Sequence, residues 1–518
     1  MLPSGVAPRY DFVVCGSGSS GSVVAARLAE NPEATVLLLE AGGCDDVPAV
    51  QDPLQWPLNL GSERDWSFVS EPSAHLNDRS VLLSMGKVLG GGSSINVMAW
   101  ARGHQSDWDY YAAEAGDESW NYRSVLNVYR RIEDWKGASD PQRRGVGGPV
   151  FVAPAPDPNP AALSVVEAAR SIGIPSYDTN NGVMMEGEGG ASILDLIIRN
   201  GRRHSVFRAY VYPYLHRPNM TVLTGATVTR LAFDQNRISA VEFSHSGANH
   251  SVAATREVVL SLGAINTPKV LMQSGIGDAD ELRHFGIPLV AHLPGVGHNY
   301  QSHPRIDCVW EYREPLEPHN NGAEATVFWK SDPSLEAPDV QICVAELPLA
   351  SEENAAAYHM PQHGWTACAG VLRPKSRGRV RLTGPHPGDP VAVEDNMLAD
   401  HDDLKAALAS VELARELGNS AWLRPFAKRE VMPGDLRRGE IEHFVRNAAE
   451  CFFHQSCTAR MGRDDMSVVD ATLKTYGVEG LRIADASIMP RVTTGNTMAP
   501  CVVIGERASD ILKAEHGL

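Results

Sequence analysis

Three glycines at the spacing G-x-G-x-x-G, Gly16, Gly18 and Gly21, stand between "FVVC" and "SVVAARLAE", and an acid, Glu40, closes the next apolar run, "TVLLLE". Such a set can hold a phosphate-linked nucleotide. Gly16 permits a tight turn, Gly18 lets the backbone approach a pyrophosphate, and Gly21 lets a helix pack closely on a strand. Ser19 and Ser20 lie between them, where unpaired amides at a helix start face the anion. Glu40 comes 19 residues after Gly21 and is followed by Ala41. Its carboxylate is placed to accept hydrogen bonds from two ribose hydroxyls, and its charge disfavours a 2′-phosphate. The turn by itself also fits an ordinary glycine-rich loop, and it does not choose between NAD and FAD.

Elements must position these residues. Phe12, Val13 and Val14 read as a buried parallel strand, and residues 22 to 30 as a helix that packs Val23, Ala26 and Leu28 on it. "NMTVLTGATVTRLAFD", "AVEFSHS" and "REVVLSLGAINTPKVLMQSGIG" give residues 220 to 305 the same texture of strands and loops. From 306 to 395 the pattern changes. "RIDCVWEYRE", "DVQICVAEL" and "GRVRLTG" are strands divided by Pro/Gly-rich turns, which suits an antiparallel sheet with one face covered. Two charged amphipathic helices follow, "HDDLKAALASVELARELG" and "RRGEIEHFVRNAAE". "LRIADAS" at 481 to 487 then returns to the strand texture before a final helix, so the chain is expected to leave the nucleotide domain and re-enter it.

Composition narrows the function classes. Lysine and arginine number 46 against 63 acids, a formal charge of −17, and no basic run of five occurs, so no nucleic-acid partner is expected. No stretch of 18 apolar residues exists, and "MLPSGVAPRYDF" has neither a charged n-region nor an apolar core. No membrane span and a cytoplasmic location are expected. At 518 residues the chain exceeds one typical domain. Its eight cysteines contain no C-x-x-C pair; buried thiols are expected rather than disulfides, and no metal site.

Several longer stretches point to a family. "MGKVLGGGSSINVMAWARG" (85 to 103), "GAINTPKVLMQSGIG" (263 to 277) and "GLRIADASIMPRVTTGNTMAPCVVIGERASDIL" (480 to 512) resemble, in order, signature blocks of the glucose–methanol–choline oxidoreductases. "PGVGHN" (294 to 299) and "KSRGRVRLTG" (375 to 384) extend the resemblance over nearly the whole chain. It implies an α/β fold: a Rossmann-like FAD-binding domain made of residues 1–155, 205–305 and 455–518, and a discontinuous substrate-binding domain, 156–204 and 306–454, built on an antiparallel sheet flanked by helices. It also selects FAD over NAD. "GGGSS" has too little side chain to pack a core and suits a backbone laid against a flat ring. By resemblance Val88, Gly91, Gly92, Asn96, Val97, Met98 and Ala99 line the isoalloxazine, and Val228 meets the adenine through its backbone. Asp485 stands near the pyrophosphate and ribityl chain, with Ala486 and Thr497 in the same set; Asp485 also reads as a helix cap before "ASIMP". Some relatives attach the flavin through a histidine directly after the serine pair. Here that residue is Ile95, so the FAD is expected to be noncovalent.

"CFFHQSCTARMG" resembles the family's histidine segment and "TTGNTMAP" carries its partner, which singles out His454 among 18 histidines and brings Asn496 to it across 42 residues. A neutral imidazole with a pKa close to working pH can take a hydroxyl proton while a hydride leaves for flavin N5. Asn496 then donates a hydrogen bond to the developing alkoxide. Some members have a second histidine at that place. Asparagine exchanges no proton at neutral pH, so His454 is expected to act alone as base. The implied activity is oxidation of a primary alcohol to the aldehyde, and onward to the acid through the hydrate, with O2 or a quinone as electron acceptor.

Phe453 and Met498 flank this pair and suggest an apolar, partly aromatic substrate wall, although such residues fit plain core as well. "FFHQSCTARMGRDD" with "VTTGNTMAP" looks most like the furfural-type branch, so a benzylic or furanic alcohol is expected. Choline dehydrogenase-like and pyridoxine-type oxidation are the alternatives. A quaternary ammonium asks for an aromatic box and an acid, and the sequence leaves open whether Trp100, Trp310, Trp329 and Glu346 converge. A hydroxynitrile lyase or a redox-inactive binding protein on the same scaffold are the rival classes; bleaching of the flavin by alcohol without oxygen separates both from an oxidoreductase.

Overall fold

The run at Arg9–Cys15 is too apolar for either side to face water. In the computed structural model, which describes residues 2–437 and 439–518, it lies inside a sheet with Phe12 to Cys15 fully buried. Val36–Leu39 and Ala248–Leu260 pair with it on either side, both parallel. Met220–Leu223 extends the sheet beyond Val36–Leu39, and Leu481–Ile483 pairs with the last residues of Ala248–Leu260, again in parallel. Arg237–His245 and Ala226–Asp234 continue from the first residues of Ala248–Leu260 as an antiparallel ribbon. Open sheets of this kind take ligands outside the carboxyl ends of their parallel strands. Just past those ends stand Gly16, Glu40, Ser261 and Asp485, and all four line one cavity.

The second sheet is antiparallel throughout, in the order Ala427–Met432, Pro304–Tyr312, Gly364–Val371, Val340–Ala345, Ala325–Trp329, Gly190–Ile193, with Ala449–Cys451 paired to the start of Pro304–Tyr312. Helices His401–Gly418 and Pro160–Ser171 pack on one face. The expectation of a single covered face is corrected here: Gly364–Val371 is buried at every position, because the other face closes the cavity through Arg305, Cys343, Ala345 and Cys368. "GRVRLTG" does not join this sheet. Its strand, Arg379–Leu382, pairs with Val391–Glu394 as a separate hairpin. The second amphipathic helix is shorter than its pattern, Ile441–Ala448, since the next three residues are drawn into the sheet. All eight cysteines are free thiols, and Cys44 is exposed rather than buried. Among the described residues no helix is long and apolar enough to cross a membrane.

Aromatic packing fixes the helix on the second sheet. Trp310 and Trp365 are stacked at 5.6 Å and 9°, and the Trp310 indole N–H donates to Asn419 Oδ1 at 3.0 Å. Gly418, the last residue of His401–Gly418, lies against this ring; a Cβ there would come within 2.3 Å of Trp310 Cζ2. In a free helix glycine to alanine gains about 1 kcal/mol, whereas overpacking a core costs about 1–3 kcal/mol. Overlap with a rigid indole therefore wins. Gly418→Ala is expected to lower the melting temperature by a few degrees; a rise would show that the helix end does not meet Trp310.

Candidate active site

The cavity runs from the carboxyl ends of the first sheet to the inner face of the second, with about 1730 Å³ of free space counting its open mouth. Gly16, Gly18, Ser19 and Ser20 form the wall at the first-sheet end. Gly16 has φ +97°, and a Cβ on it would lie 2.3 Å from the Ser261 carbonyl oxygen. Gly21 stands behind the wall, where a Cβ would fall 1.9 Å from the Gly16 carbonyl oxygen, so helix and turn close on each other there. At Gly18 and Gly92 an added Cβ would meet nothing within 4 Å. The helix Gly21–Leu28 begins without a side-chain cap, and of its first amides Ser22 N is taken by the Gly18 carbonyl oxygen at 3.0 Å. Glu40 is buried beside Ala41 on the same wall. Its Oε2 accepts from Ser17 N at 3.0 Å and Ser17 Oγ at 2.6 Å, and its Oε1 from Gly42 N at 2.8 Å. Burial pushes its pKa up while these bonds oppose the rise. The acid thus braces the turn as well as facing the cavity.

Gly91, Gly92, Asn96, Val97 and Ala99 continue the wall. Three of the residues expected at the cofactor are not among those that line this cavity. Val88 is fully buried and bridges to Gly43, and Met98, at φ 59°, turns its side chain into the core of the first sheet's domain. Val228 sits within Ala226–Asp234, the strand whose first residue donates its N–H to the Glu40 carbonyl oxygen. Arg203, fully buried, pins the loop by donating to the carbonyl oxygens of Ser93 and Asn96 and to Asn96 Oδ1. Desolvation without a carboxylate partner brings its guanidinium down to about 9. Asp485 does cap its helical turn, accepting from Ser487 N at 2.8 Å, but it also takes Gly263 N and Thr267 Oγ1 and lines the cavity with Ala486. Thr497 and Met498 bring a second uncapped helix start, that of Met498–His516, to the same space.

His454 and Asn496 meet on this wall, Nε2 to Nδ2 at 3.2 Å. Two supports set them there. Ser456 and Gln301 exchange backbone hydrogen bonds, carrying the histidine segment alongside the residues before Pro304–Tyr312, and Phe453 and Cys457 adopt left-handed φ values of 63° and 76° on either side of His454. Asp107, fully buried, accepts from Thr494 N at 2.7 Å and so holds the loop that ends in Asn496. On its far side His454 Nδ1 lies 2.8 Å from His303 Nδ1. One of these nitrogens must carry the proton. Asn496 Nδ2 can only donate, so His454 Nε2 accepts from it and carries no proton. His454 Nδ1–H is then the donor and His303 Nδ1 the acceptor, and the His454 Nε2 lone pair is directed to Asn496 on the cavity wall. Burial, with 7% of the residue accessible, pushes His454 down to about 3, so the imidazole is neutral well below its ordinary titration range rather than poised near neutral pH. His303 was not among the expected residues; "QSHP", one residue after "PGVGHN", is the signal that carried it.

Phe453 and Met498 lie on the substrate end of the wall, joined by Phe452, Trp56, Trp66 and Met85. Trp56 and Trp66 come from a stretch without helical or strand period. The possible aromatic box does not assemble. Trp100 donates to Glu133 at 2.6 Å, Trp310 is stacked on Trp365, Trp329 packs at the edge of the second core, and Glu346 accepts from Asn159 and His319 N. None of these four lines the cavity.

A nucleotide turn in one sheet facing an imidazole–amide pair under a second sheet defines a two-domain redox enzyme that works on a bound cofactor. Models described as GMC oxidoreductase match residues 10–305 and 374–505, and the chain belongs to that family. It is 36% identical over 530 residues to an oxygen-dependent choline dehydrogenase of Brucella suis biovar 1 (strain 1330), covering 96% of this chain and 95% of that one. A homologue of the same description from Paraburkholderia xenovorans (strain LB400) is also 36% identical, over 99% of this chain and 96% of its own. Among solved structures, pyridoxine 4-oxidase from Mesorbium loti superposes with a TM-score of 0.92 at 31% identity, covering 98% of this chain and 99% of that one. A fungal aryl-alcohol oxidase, at 23% identity, TM-score 0.84 and coverage of 99% and 100%, shares the fold. The protein is an alcohol oxidoreductase and its cofactor is FAD. The open faces at Gly18 and Gly92 and the two uncapped helix starts fit that group.

Two glycines test the cradle separately. Gly18→Ala adds a methyl to free space, so the apoprotein is expected to melt as the parent does while FAD occupancy after purification falls. Gly21→Ala forces a backbone overlap and is expected to lower the melting temperature of the apoprotein itself. Full occupancy in Gly18→Ala would remove that residue from the cofactor wall.

Proposed function

We propose that this protein oxidises a primary alcohol carried on an aromatic or heteroaromatic ring to the aldehyde, with FAD held noncovalently between the two sheets. The observation that carries the proposal is the unprotonated Nε2 of His454, held by the Asn496 amide, on a wall rich in aromatic side chains. Residues 1–155, 205–305 and 455–518 hold the cofactor, and 156–204 and 306–454 cover the substrate. Ile95, on the wall after the serine pair, has no nucleophile for a covalent link. When bound, FAD supplies the hydride acceptor. His454 Nε2 takes the hydroxyl proton, and the Nδ1–H bond to His303 keeps the ring oriented and shares the charge it gains. Because burial makes His454 a weak base, proton uptake is favourable only as negative charge develops on the substrate oxygen beside it. Asn496 shifts its amide N–H to that oxygen and stabilises the same charge.

Trp56, Trp66, Phe452 and Phe453 favour a flat ring. Among the described residues that line the cavity the carboxylates are Glu40 and Asp485, both engaged at the nucleotide end, which favours a ring alcohol over a quaternary ammonium. The same reading is supported by a structural neighbour whose named substrate, pyridoxine, is a hydroxymethyl heteroarene. A hydrated aldehyde offers the same O–H and C–H pair, so oxidation onward to the acid uses the same residues. Oxygen or a quinone takes up the electrons.

Anaerobic titration of the holoenzyme with benzyl, furfuryl, pyridoxine and choline substrates, followed by air, tests the substrate class; bleaching by choline alone would overturn it. His454→Ala is expected to retain FAD and slow anaerobic flavin reduction on the order of 10² to 10⁴-fold. Asn496→Ala should slow reduction with FAD content kept, and loss of FAD instead would make Asn496 structural. Protonating the base abolishes activity at low pH. With His454 pushed to about 3, kcat/KM is expected to stay level as pH falls through 6.5 and to drop only in strongly acid solution. A limb centred at or above 6.5 would mean a solvated imidazole.

A further inference from the structure

Charge is unevenly placed on the cavity wall. Among the described residues that line it, Glu40 and Asp485 stand at the nucleotide end, and Arg305 is the charged residue at the substrate end. Arg305 lies on the cavity face of Pro304–Tyr312, near Cys343 and Cys368. A guanidinium has five N–H donors. Here Nη2 donates to Asp307 Oδ2 at 3.0 Å, Nε is buried without an acceptor, and Nη1 has no acceptor among the described residues. The side chain keeps 16% of its area accessible although Pro304 and Ile306 on either side are buried. Asp307 and, across the strand pair, Glu450 hold it charged, and Glu450 is itself taken by Arg79 at 2.6 Å. Unused donors on an apolar wall cost free energy that a ligand oxyanion removes.

Phe452 sets the distance from this cation to the base. Its ring stacks on His454 at 5.6 Å and 13°, and the Arg305 guanidinium carbon lies 5.9 Å from the same ring. A substrate ring lying along Phe452 with its hydroxymethyl group at His454 therefore turns its far edge toward Arg305. We propose that Arg305 selects ring alcohols bearing a carboxylate on the side remote from the hydroxymethyl group, through a charge-assisted hydrogen bond. This rests on the placement of His454 as base. It names the substrate class as hydroxymethyl-arenecarboxylates, and it makes Arg305 a specificity residue.

The test uses the FAD-loaded full-length enzyme and two matched pairs. 4-(Hydroxymethyl)benzoate and 4-methylbenzyl alcohol are compared by anaerobic flavin reduction; non-oxidisable 4-methylbenzoate and 4-methylbenzamide are compared by calorimetric titration. The parent enzyme is expected to favour the carboxylate of each pair by about 10- to 100-fold, the range of a hydrogen bond to a charged group. That ratio should fall toward one in Arg305→Met and be partly kept in Arg305→Lys. A parent ratio near one, or equal losses for both members of each pair in the variants, overturns the proposal. Should Arg305→Met fail to fold, Arg305→Gln and the parent ratio decide. Arg305-dependent binding of 4-methylbenzoate without flavin reduction by either alcohol would fault the role given to His454 and leave that of Arg305 standing. Equal reduction by both alcohols would do the reverse.

Discussion

A single contact between two imidazole rings governs what this cavity can do. His454 presents a lone pair to Asn496 because its other nitrogen donates to His303. The alternative tautomer of His454 would set its N–H against the amide N–H of Asn496, so the pair of contacts holds one arrangement. The contact is set by strand register. Pro304 pairs with Cys451 and Phe452 N donates to His303 O, and the left-handed turn at Phe453 then brings the His454 ring against His303. Side chains alternate along a strand, and a slip of one residue would turn the pair away from the cavity.

Around this contact the two sheets divide the work by the kind of backbone each exposes. Parallel strands end in turns and helix starts, which offer N–H groups and small residues to an anionic, extended ligand. The antiparallel sheet offers a flat face of side chains: sulfur, methyl and phenyl groups, and one guanidinium. Acids at one end and a cation at the other give the cavity a polarity that the formal charge of −17 does not hint at.

Much of the first sheet was legible because local chemistry dictates it. A valine-rich strand, a glycine turn and a terminal acid act within some 30 residues of one another, and their roles follow from steric need. His454 and Asn496 were legible for another reason, the resemblance of their flanking segments to a known family. Position along the chain could not show which residues fall behind the wall: Met98 differs from Val97 and Ala99 only in which way the backbone turns it. Trp56 and Trp66 were hidden because one lies in a short 3-10 helix, Pro53–Asn59, and the other in irregular chain, neither with a readable period, and His303 and Arg305 because their meaning arises from pairing with residues about 150 positions away. The second covered face of the antiparallel sheet was missed for a similar reason. A strand buried on both sides by different partners reads as apolar without naming either.

The wall draws on residues from Gly16 to Cys501, and the helix that follows Asn496 packs against the helix that follows the first glycine turn. A growing polypeptide therefore cannot close its own binding chamber while it is being translated. The prosthetic group's berth is completed only once the helix that follows Asn496 has left the ribosome.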